Sequence, residues 1–353
     1  TRVILGVKPW GAGKIRLLMI DQKILHPTTS DRVQGTRRLG SKVKGATAFL
    51  IVGLLAPLFF GVSSGSGQIA DKLDGYNVLL ITIDTLRADR LGVYGYDGVQ
   101  TPNIDRLAVE GIRFEQVTTT VPATLPAHAS IMTGLQPFEH GVRSNGAFVL
   151  RDDVNTLAEQ FVAAGYVTGS FTGTVVLDAQ FGIAQGFEQF SGLAPYQRVT
   201  GDTSGERPGE SVVDEAGMWI RSQSAPFFAW VHMYDPHDPY AAPEPFGSRY
   251  TDSPYDGEVA YVDAMVGRLR QVLEESGAAD NTLIILTSDH GEGLGDHGEQ
   301  THSFFIYDST VRVPLIFWAP GEVPSGIVAM GRVGVIDIFP TVLTMVGLPI
   351  PSN

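Results

Sequence analysis

The stretch that most constrains the fold of this chain is residues 282–302, which read TLIILTSDHGEGLGDHGEQTH. Its first half, residues 283–287, is a continuous aliphatic and β-branched run, typical of a strand buried on both faces of a parallel sheet. The run is followed by Asp289 and His290, so a carboxylate and an imidazole come directly after a central strand. Open α/β sheets place their ligand sites at the carboxyl ends of strands. Because aspartate and neutral histidine are both ligands of zinc and manganese, this stretch predicts a metal site.

A second run of the same kind, VLLITI at residues 78–83, ends on Asp84. Two strands buried on both faces therefore end on an aspartate, one early and one late in the chain. Helix and strand patterns alternate between and after them, which predicts an α/β fold. The predicted strands are residues 112–114, 167–171, 226–234 and 313–318, and the predicted helices are residues 101–108, 155–164, 211–224, 257–276 and 335–346. Residues 198–210, rich in Gly, Asp, Glu and Ser, are predicted to be an exposed insertion.

Residues 121–134 are predicted to be a loop that runs into a helix, with Thr124 near the helix N-terminus and Pro126 in the first turn. A hydroxyl in that place lies near the positive end of the helix dipole and near free backbone N–H groups. Taken alone, Thr124 is also explained as an ordinary helix N-cap.

The charge of the chain is unevenly distributed, although the formal net charge of the 353 residues is −13. Residues 1–45 carry ten Lys and Arg against two Asp and Glu, which leaves a net charge of −21 on the remainder. A surface that acidic argues against non-specific nucleic-acid binding. The chain has no cysteine, which excludes disulfides, thiolate metal sites and a cysteine nucleophile.

The N-terminal part carries an export signal. Residues 46–62 form a seventeen-residue uncharged run, which follows a basic stretch and precedes small residues. This pattern predicts a signal peptide or a membrane anchor, and therefore an exported protein that is periplasmic or held at the outer face of the membrane. We expect residues 1–45 to be an unstructured basic tail and residues 46–75 to be the signal or anchor with a linker. The folded domain is expected over residues 76–353, truncated at its C-terminus.

Seven of the eight histidines lie in or beside the predicted strand-end loops; they are His128, His140, His232, His237, His290, His297 and His302. Together with Asp84 and Asp289 they indicate a metal centre. The ligand types, carboxylate oxygen and imidazole nitrogen, favour zinc or manganese over calcium.

The chain resembles the sulfatases and, more widely, the alkaline phosphatase superfamily over about residues 76–348. The resemblance rests on six segments in order: NVLLITIDTLRADRLGVYGY, PNIDRLAVEGIRFEQ, LPAHASIMTGLQPFEHGV, HMYDPHDPY, SDHGEGLGDHGE and RVPLIFWAPG. It implies a doubly wound, mostly parallel sheet with helices on both faces. It also implies a divalent metal held by Asp84, Asp289 and His290. The nucleophile, at the start of the helix, would be Thr124.

The sequence departs from the sulfatase pattern at the nucleophile. Sulfatases carry Cys or Ser in a C-x-P-x-R motif and convert that residue to formylglycine, whereas this chain has Thr124-Leu125-Pro126-Ala127-His128. Threonine cannot form that aldehyde, the motif's Arg is His128, and a sulfate-binding Lys is replaced by His302. A threonine nucleophile with a histidine thirteen residues after Asp289 is more similar to the phosphoethanolamine transferases. Threonine nucleophiles also occur in nucleotide phosphodiesterases.

These residues support one leading hypothesis and two alternatives. A metal bound to the Thr124 hydroxyl would make it a nucleophile, and His128, His237 and His302 would act as protonated donors or hold a second metal. His237 is the candidate general acid, because histidine titrates near neutrality. We therefore expect a metal-dependent ester hydrolase or transferase that acts through covalent Thr124 on a small-molecule, glycan or lipid ester.

Phosphate esters are expected as substrates, with diester hydrolysis or phospho-group transfer favoured. A threonine sulfate ester lacks the elimination step that releases sulfate from formylglycine, whereas a threonine phosphoester can be resolved by attack at phosphorus. The alternatives are a sulfuric ester hydrolase and a non-catalytic binding protein with a degenerate sulfatase fold. Convergence of Thr124 with the metal ligands would argue against the binding protein.

Overall fold

The computed structural model describes residues 7–10, 14–17, 73–201 and 205–351. The predicted signal or anchor at residues 46–62 lies outside the described residues, so export stays a prediction. Among the described residues, no helix combines the length and the apolar character that a membrane crossing requires.

The secondary structure of the described residues alternates between strands and helices. The strands are β1 (Val7–Trp10), β2 (Lys14–Leu17), β3 (Asn77–Ile83), β4 (Ile112–Thr118), β5 (Val167–Thr172), β6 (Gln189–Ser191), β7 (Phe227–Met233), β8 (Thr282–Ser288), β9 (Leu315–Trp318) and β10 (Ile327–Gly334). The α-helices are α1 (Pro102–Glu110), α2 (Thr124–Thr133), α3 (Pro137–His140), α4 (Leu157–Ala163), α5 (Leu193–Thr200), α6 (Gly209–Ser222), α7 (Phe246–Arg249), α8 (Pro254–Glu275), α9 (Asp308–Val311) and α10 (Ile338–Met345).

Eight of these strands form one sheet in the order β10-β4-β9-β8-β3-β7-β5-β6. Neighbouring strands are parallel except for β9, which is antiparallel to both β4 and β8. Strands β3 and β8, the two aliphatic runs that each lead to an aspartate, are adjacent and buried along their whole length. The prediction of a mostly parallel α/β sheet is confirmed.

Two apolar cores lie on opposite faces of this sheet. Leu80 of β3 packs into the core that contains α2, α4 and α10, whereas the next residue, Ile81, packs into the core with α1, α6 and α8. Successive side chains of a strand point to opposite faces, so a strand covered by helices on both sides must be apolar at every position. This explains the uninterrupted aliphatic runs, and the doubly wound arrangement is confirmed.

The structure differs from the sequence prediction at the periphery. Strands β6 and β10 were not predicted, because β6 has only three residues and β10 alternates between buried and exposed positions at the sheet edge. In the predicted unstructured tail, β1 and β2 pair as an antiparallel ribbon.

The predicted exposed insertion at residues 198–210 also contains a side chain that the structure buries. Arg207 is buried, and its Nη2 lies 2.6 Å from Oε2 of Glu215. A guanidinium that is paired in this way can be buried, whereas composition alone indicates only a polar loop.

The sheet brings the predicted site residues to one edge. Ile83 of β3 is in register with Ser288 of β8 and with Met233 of β7. The residues that follow these three strands therefore leave the sheet side by side.

Phe161 of α4 provides a test of the packing. It is fully buried and stacks on Phe228 of β7, with the ring centroids 4.6 Å apart. We expect Phe161→Ala to lower the free energy of unfolding by about 3–5 kcal/mol, because it removes a buried ring and leaves a cavity. Chemical denaturation would measure this loss. The neighbouring and partly exposed Val162 is the control, and Val162→Ala should change stability by less than about 0.5 kcal/mol. Equal losses in the two variants would contradict this packing.

Candidate active site

Three side chains that directly follow β3 and β8 converge near the centre of the sheet's carboxyl edge. Asp84, Asp289 and His290 are all fully buried, and their ligand atoms lie within 4.8 Å of one another. His290 Nε2 is 3.6 Å from Oδ1 of Asp84 and 3.3 Å from Oδ2 of Asp289. A tetrahedral ion with bonds of about 2.0–2.1 Å holds its ligand atoms roughly 3.3–3.4 Å apart. The three side chains therefore have the spacing that a single metal ion requires.

The bonding of these carboxylates also fits a metal. Both carboxylate oxygens of Asp84 and the Oδ2 of Asp289 are buried without a hydrogen-bond partner. Burial, together with the charge of Asp84, raises the pKa of Asp289 well above its usual range. The pKa of Asp84 is low although burial acts in the opposite direction, because His232 and His290 lie beside it. A buried pair of carboxylates needs a compensating cation, and a divalent ion meets that need.

His290 has the protonation state that a ligand needs. Burial, followed by the nearby His302, lowers the pKa of His290 to about 3. Its Nδ1 lies 3.0 Å from the carbonyl oxygen of Gly291, so Nδ1 carries the proton. Nε2 is then the lone-pair nitrogen, and it is the atom that faces both aspartates.

Thr124 lies against this group. It is the first residue of α2, it is buried, and its Oγ1 is 3.4 Å from Nε2 of His290. The N-cap of α2 is Ala123, whose side chain makes no capping hydrogen bond, so Thr124 is not the N-cap. The hydroxyl is therefore placed beside the metal ligands at the positive end of a helix, as expected for a nucleophile.

His128 differs from its predicted role as a charged donor. Its Nδ1 donates to the carbonyl oxygen of Thr124 at 2.8 Å, and its Nε2 accepts from the Thr82 hydroxyl at 3.0 Å. Burial, followed by the charge of His232, lowers the pKa of His128 to about 3. The ring is therefore neutral and both of its nitrogens are used, so His128 positions the first turn of α2 and supplies no positive charge.

His302 and His237 lie together at the mouth of the site. The His302 ring is 4.4 Å from that of His290 and 5.2 Å from that of His237, between centroids. Nδ1 of His302 lies 3.2 Å from Oε1 of Glu292. Burial favours the neutral ring, but the hydrogen bond and charge of Glu292 raise the pKa of His302. Nδ1 of His237 donates to the carbonyl oxygen of Asp238 at 2.7 Å, which leaves Nε2 for a substrate.

The remaining histidines divide between the site and other places. His232, for which the sequence predicted no role, lies at the site. Its Nε2 is 3.5 Å from Oδ2 of Asp84. His140 is buried against the hydroxyl of Ser130, and His297 is exposed and stacks on Tyr307. A second group of three ligand side chains at metal-binding spacing is not found among the described residues, so the second metal ion stays a prediction.

Two further residues that support the site were missed. Arg87 is buried and bonds the carbonyl oxygen of Glu292 at 3.1 Å and the carboxylate of Asp296 at 2.8 Å, so it fixes the loop after β8. The side chain of Asn145 accepts from the backbone N–H of Leu125 at 2.8 Å. Arg87 lies in the motif after β3 and could have been suspected, whereas nothing in the sequence around Asn145 indicates its contact.

The fold and site define a class of α/β protein with a candidate metal site and a buried hydroxyl side chain at the carboxyl edge of the sheet. The sulfatase family model matches residues 76–348. The chain therefore belongs to the sulfatase family, which is metal-dependent and part of the alkaline phosphatase superfamily.

Individual relatives are moderately similar. An arylsulfatase of Clostridium perfringens is 25% identical in an alignment that covers 78% of this chain and 76% of that protein. Human N-acetylgalactosamine-6-sulfatase is 28% identical over 330 residues, and this chain spans 63% of its length. The crystal structure of a phosphonate monoester hydrolase from Agrobacterium radiobacter superimposes with a TM-score of 0.70 at 27% identity, covering 78% of this chain and 74% of that one.

Metal content tests the proposed ligands. We expect the purified protein to hold about one zinc or manganese ion per chain, and Asp289→Asn to lose most of it, because an amide does not compensate the ion's charge. Elemental analysis of dialysed protein would measure this. Asp296→Asn is the control, since Asp296 lies in the same loop, is about half exposed and pairs with Arg87. Stoichiometric calcium without a transition metal would contradict the assignment.

Proposed function

We propose that the protein is a metal-dependent ester hydrolase or transferase in which Thr124 forms a covalent intermediate with phosphate esters. The observation that carries the proposal is the 3.4 Å contact between Thr124 Oγ1 and His290 Nε2, at the position of the family's nucleophile. A degenerate binding protein would not be expected to keep this convergence of hydroxyl, carboxylates and imidazole.

The ion would be held by Asp84, Asp289 and His290, with the Thr124 hydroxyl as a further ligand. When bound, it lowers the pKa of an adjacent hydroxyl and stabilises negative charge on the ester oxygens. Zinc and manganese are proposed over calcium because one ligand is an imidazole.

The protein's own groups and solvent account for the bonds and protons of the reaction. The Thr124 hydroxyl gives its proton to solvent, its Oγ1 attacks phosphorus, and the bond from phosphorus to the leaving alcohol breaks. The alcohol oxygen takes a proton from Nε2 of His237, which is half-buried at the mouth of the site. Water or a second alcohol then gives its proton to the same nitrogen and attacks phosphorus. This releases Thr124, which takes its hydroxyl proton back from solvent.

His302 supplies positive charge beside this reaction. Its hydrogen bond to Glu292 supports the protonated ring, and its ring lies between those of His290 and His237. A cation there would bind a non-bridging oxygen of the phosphoryl group. This is the position for which the family resemblance implies a lysine.

Phosphate is proposed over sulfate because threonine cannot release sulfate as formylglycine does. The similarity to phosphonate monoester hydrolases supports reaction at phosphorus. A sulfuric ester hydrolase is the second candidate, and it is favoured by the family match and by the sulfatases among the relatives.

A substrate panel distinguishes the two candidates. We expect protein loaded with zinc or manganese to cleave a phosphate monoester or diester with a higher kcat/KM than an aryl sulfate. Thr124→Ala should lower kcat by at least ~10³-fold, and intact-mass spectrometry of quenched wild-type reactions should detect a phosphorylated chain. Thr133→Ala, at the other end of α2, is the control for perturbation of the helix.

Two results would contradict this function. Faster cleavage of the aryl sulfate would favour the sulfatase alternative. Full activity of Thr124→Ala on the best substrate would rule out the covalent intermediate.

We also propose that the protein is exported, because residues 46–62 have the pattern of a signal peptide or anchor. A reporter fused after residue 75 should be found outside the cytoplasm in fractionated cells. Replacing two leucines of this segment by arginine should retain the reporter in the cytoplasm. A cytoplasmic reporter with the intact segment would contradict export.

A further inference from the structure

A cavity of about 240 Å³ opens beside the candidate active site. Acidic and aromatic side chains from the loop after β7, from α8 and from the segment before α6 form much of its wall. We call it the acidic cavity, and its principal lining residues are Glu206, Tyr234, Asp235, His237, Glu258 and Tyr261. Neither the metal centre nor the nucleophile uses these carboxylates.

Glu258 is the most unusual group in the acidic cavity. It lies on α8 with only 4% of its surface exposed, and its Oε1 accepts from the backbone N–H of Ala241 at 2.6 Å. The other oxygen, Oε2, is buried without a hydrogen-bond partner. A buried carboxylate oxygen that lacks a donor is costly unless a ligand supplies one.

A second carboxylate lies close to the first. Asp235 follows β7, and its Oδ2 accepts from the backbone N–H of Gly209 at 3.0 Å. Burial, followed by the charge of Asp235, raises the pKa of Glu258 to about 8. Among the described residues, neither carboxylate forms an ion pair with Lys, Arg or His. The raised pKa means that Glu258 is largely protonated near neutral pH until a cation binds beside it, and such a cation would stabilise the ionised form of both acids.

The basic side chains near the acidic cavity have other partners. Arg207 lines the wall, but its guanidinium is paired with Glu215. Glu210 also lines the wall and is paired with Arg268 at 3.0 Å. Among the described residues that line the acidic cavity, His237 is the only other basic side chain, so a cationic ligand would supply the positive charge beside Asp235 and Glu258.

An organic cation fits the acidic cavity better than a metal ion. Among the described residues, only Asp84, Asp289 and His290 form a group of three ligand side chains at metal-binding spacing, so the acidic cavity does not offer a comparable set. The cavity is also larger than a bare ion requires. The rings of Tyr234 and Tyr261 provide aromatic surface, and ammonium groups bind to such surfaces through cation–π attraction.

The acidic cavity is connected to the metal centre through two histidine rings. His237 lines the cavity, its ring contacts that of His302, and the His302 ring contacts that of the metal ligand His290. A substrate bound at the metal centre would therefore direct its alcohol part past His237, the proposed acid for the leaving oxygen, into the cavity.

We propose that the acidic cavity binds an ammonium group on the alcohol part of the substrate, so that the substrates are phosphate esters of positively charged amino alcohols. This inference rests on the proposed function, because it assigns the substrate class of the same site. Glu258 and Asp235 supply the charge, and the two tyrosines supply the aromatic wall.

The test compares two substrates that differ only in charge. The cationic ester is phosphorylcholine, and the neutral ester is 3,3-dimethylbutyl phosphate, whose alcohol has the same shape, so that the alcohol under test is the leaving group and released inorganic phosphate is measured. We expect the metal-loaded protein to have a kcat/KM at least about tenfold higher for the cationic ester. Glu258→Gln keeps an acceptor for Ala241 and removes the charge, and it should reduce the ratio to below about threefold.

Two further variants complete this experiment. Asp235→Asn keeps an acceptor for Gly209, and it should also reduce the ratio, which guards against a folding defect in a single variant. Glu210→Gln is the matched control, because the charge of Glu210 is already paired with Arg268, and it should leave the ratio unchanged. A wild-type ratio near one, or an unchanged ratio in both Glu258→Gln and Asp235→Asn, would overturn the proposal.

Binding of choline separates this inference from the proposed function. Isothermal titration calorimetry should detect choline binding to the wild-type protein, and about tenfold weaker binding or none to Glu258→Gln. If neither ester is cleaved but choline binds in this way, the proposed reaction fails and the cation site stands. If choline does not bind to the wild-type protein, the cation site is wrong, whichever esters are cleaved.

Discussion

The structure depends on one electrostatic constraint, which is that two aspartates are buried side by side at the ends of adjacent strands. The register of β3 and β8 places Asp84 and Asp289 together, and neither is exposed. Two like charges in a dry site raise each other's energy, so the arrangement is favourable only with a cation between them. The apolar strands hold the aspartates in this position, because any shift of register would expose aliphatic side chains or break the central ladder.

Around this pair, hydrogen bonds fix the state of each histidine ring. His290 directs its unprotonated nitrogen to the aspartates because its other nitrogen donates to Gly291. His128 is neutral and joins Thr124 to Thr82, which also accepts from the indole of Trp230 at 2.9 Å. The nucleophile's helix is thus tied to the core of the sheet. His302 differs from both, since Glu292 supports its charged form.

The loop after β7 links the reacting centre to substrate recognition. It carries His237, the proposed general acid, directly beside Asp235 of the acidic cavity. The same short segment therefore carries both His237, which is proposed to protonate the leaving oxygen, and Asp235, which is proposed to bind the leaving alcohol. Because the segment begins where a central strand ends, the rigid sheet positions both groups.

The sequence by itself determined the fold class, the two strands that end on aspartates and Thr124 at a helix start, and the family resemblance added Asp84, Asp289 and His290 as candidate metal ligands. These features are local, since a strand covered on both faces must be apolar throughout and its first polar residue marks the end of burial. Only the tertiary structure decided what depends on distant partners. His128 became a neutral positioning residue because burial and the nearby His232 lower its pKa while Thr82 bonds its Nε2, and Arg207 became buried because of Glu215. Glu258 is buried with its Oε2 unpartnered because α8 packs against the β7 loop, a contact between segments that no local pattern encodes.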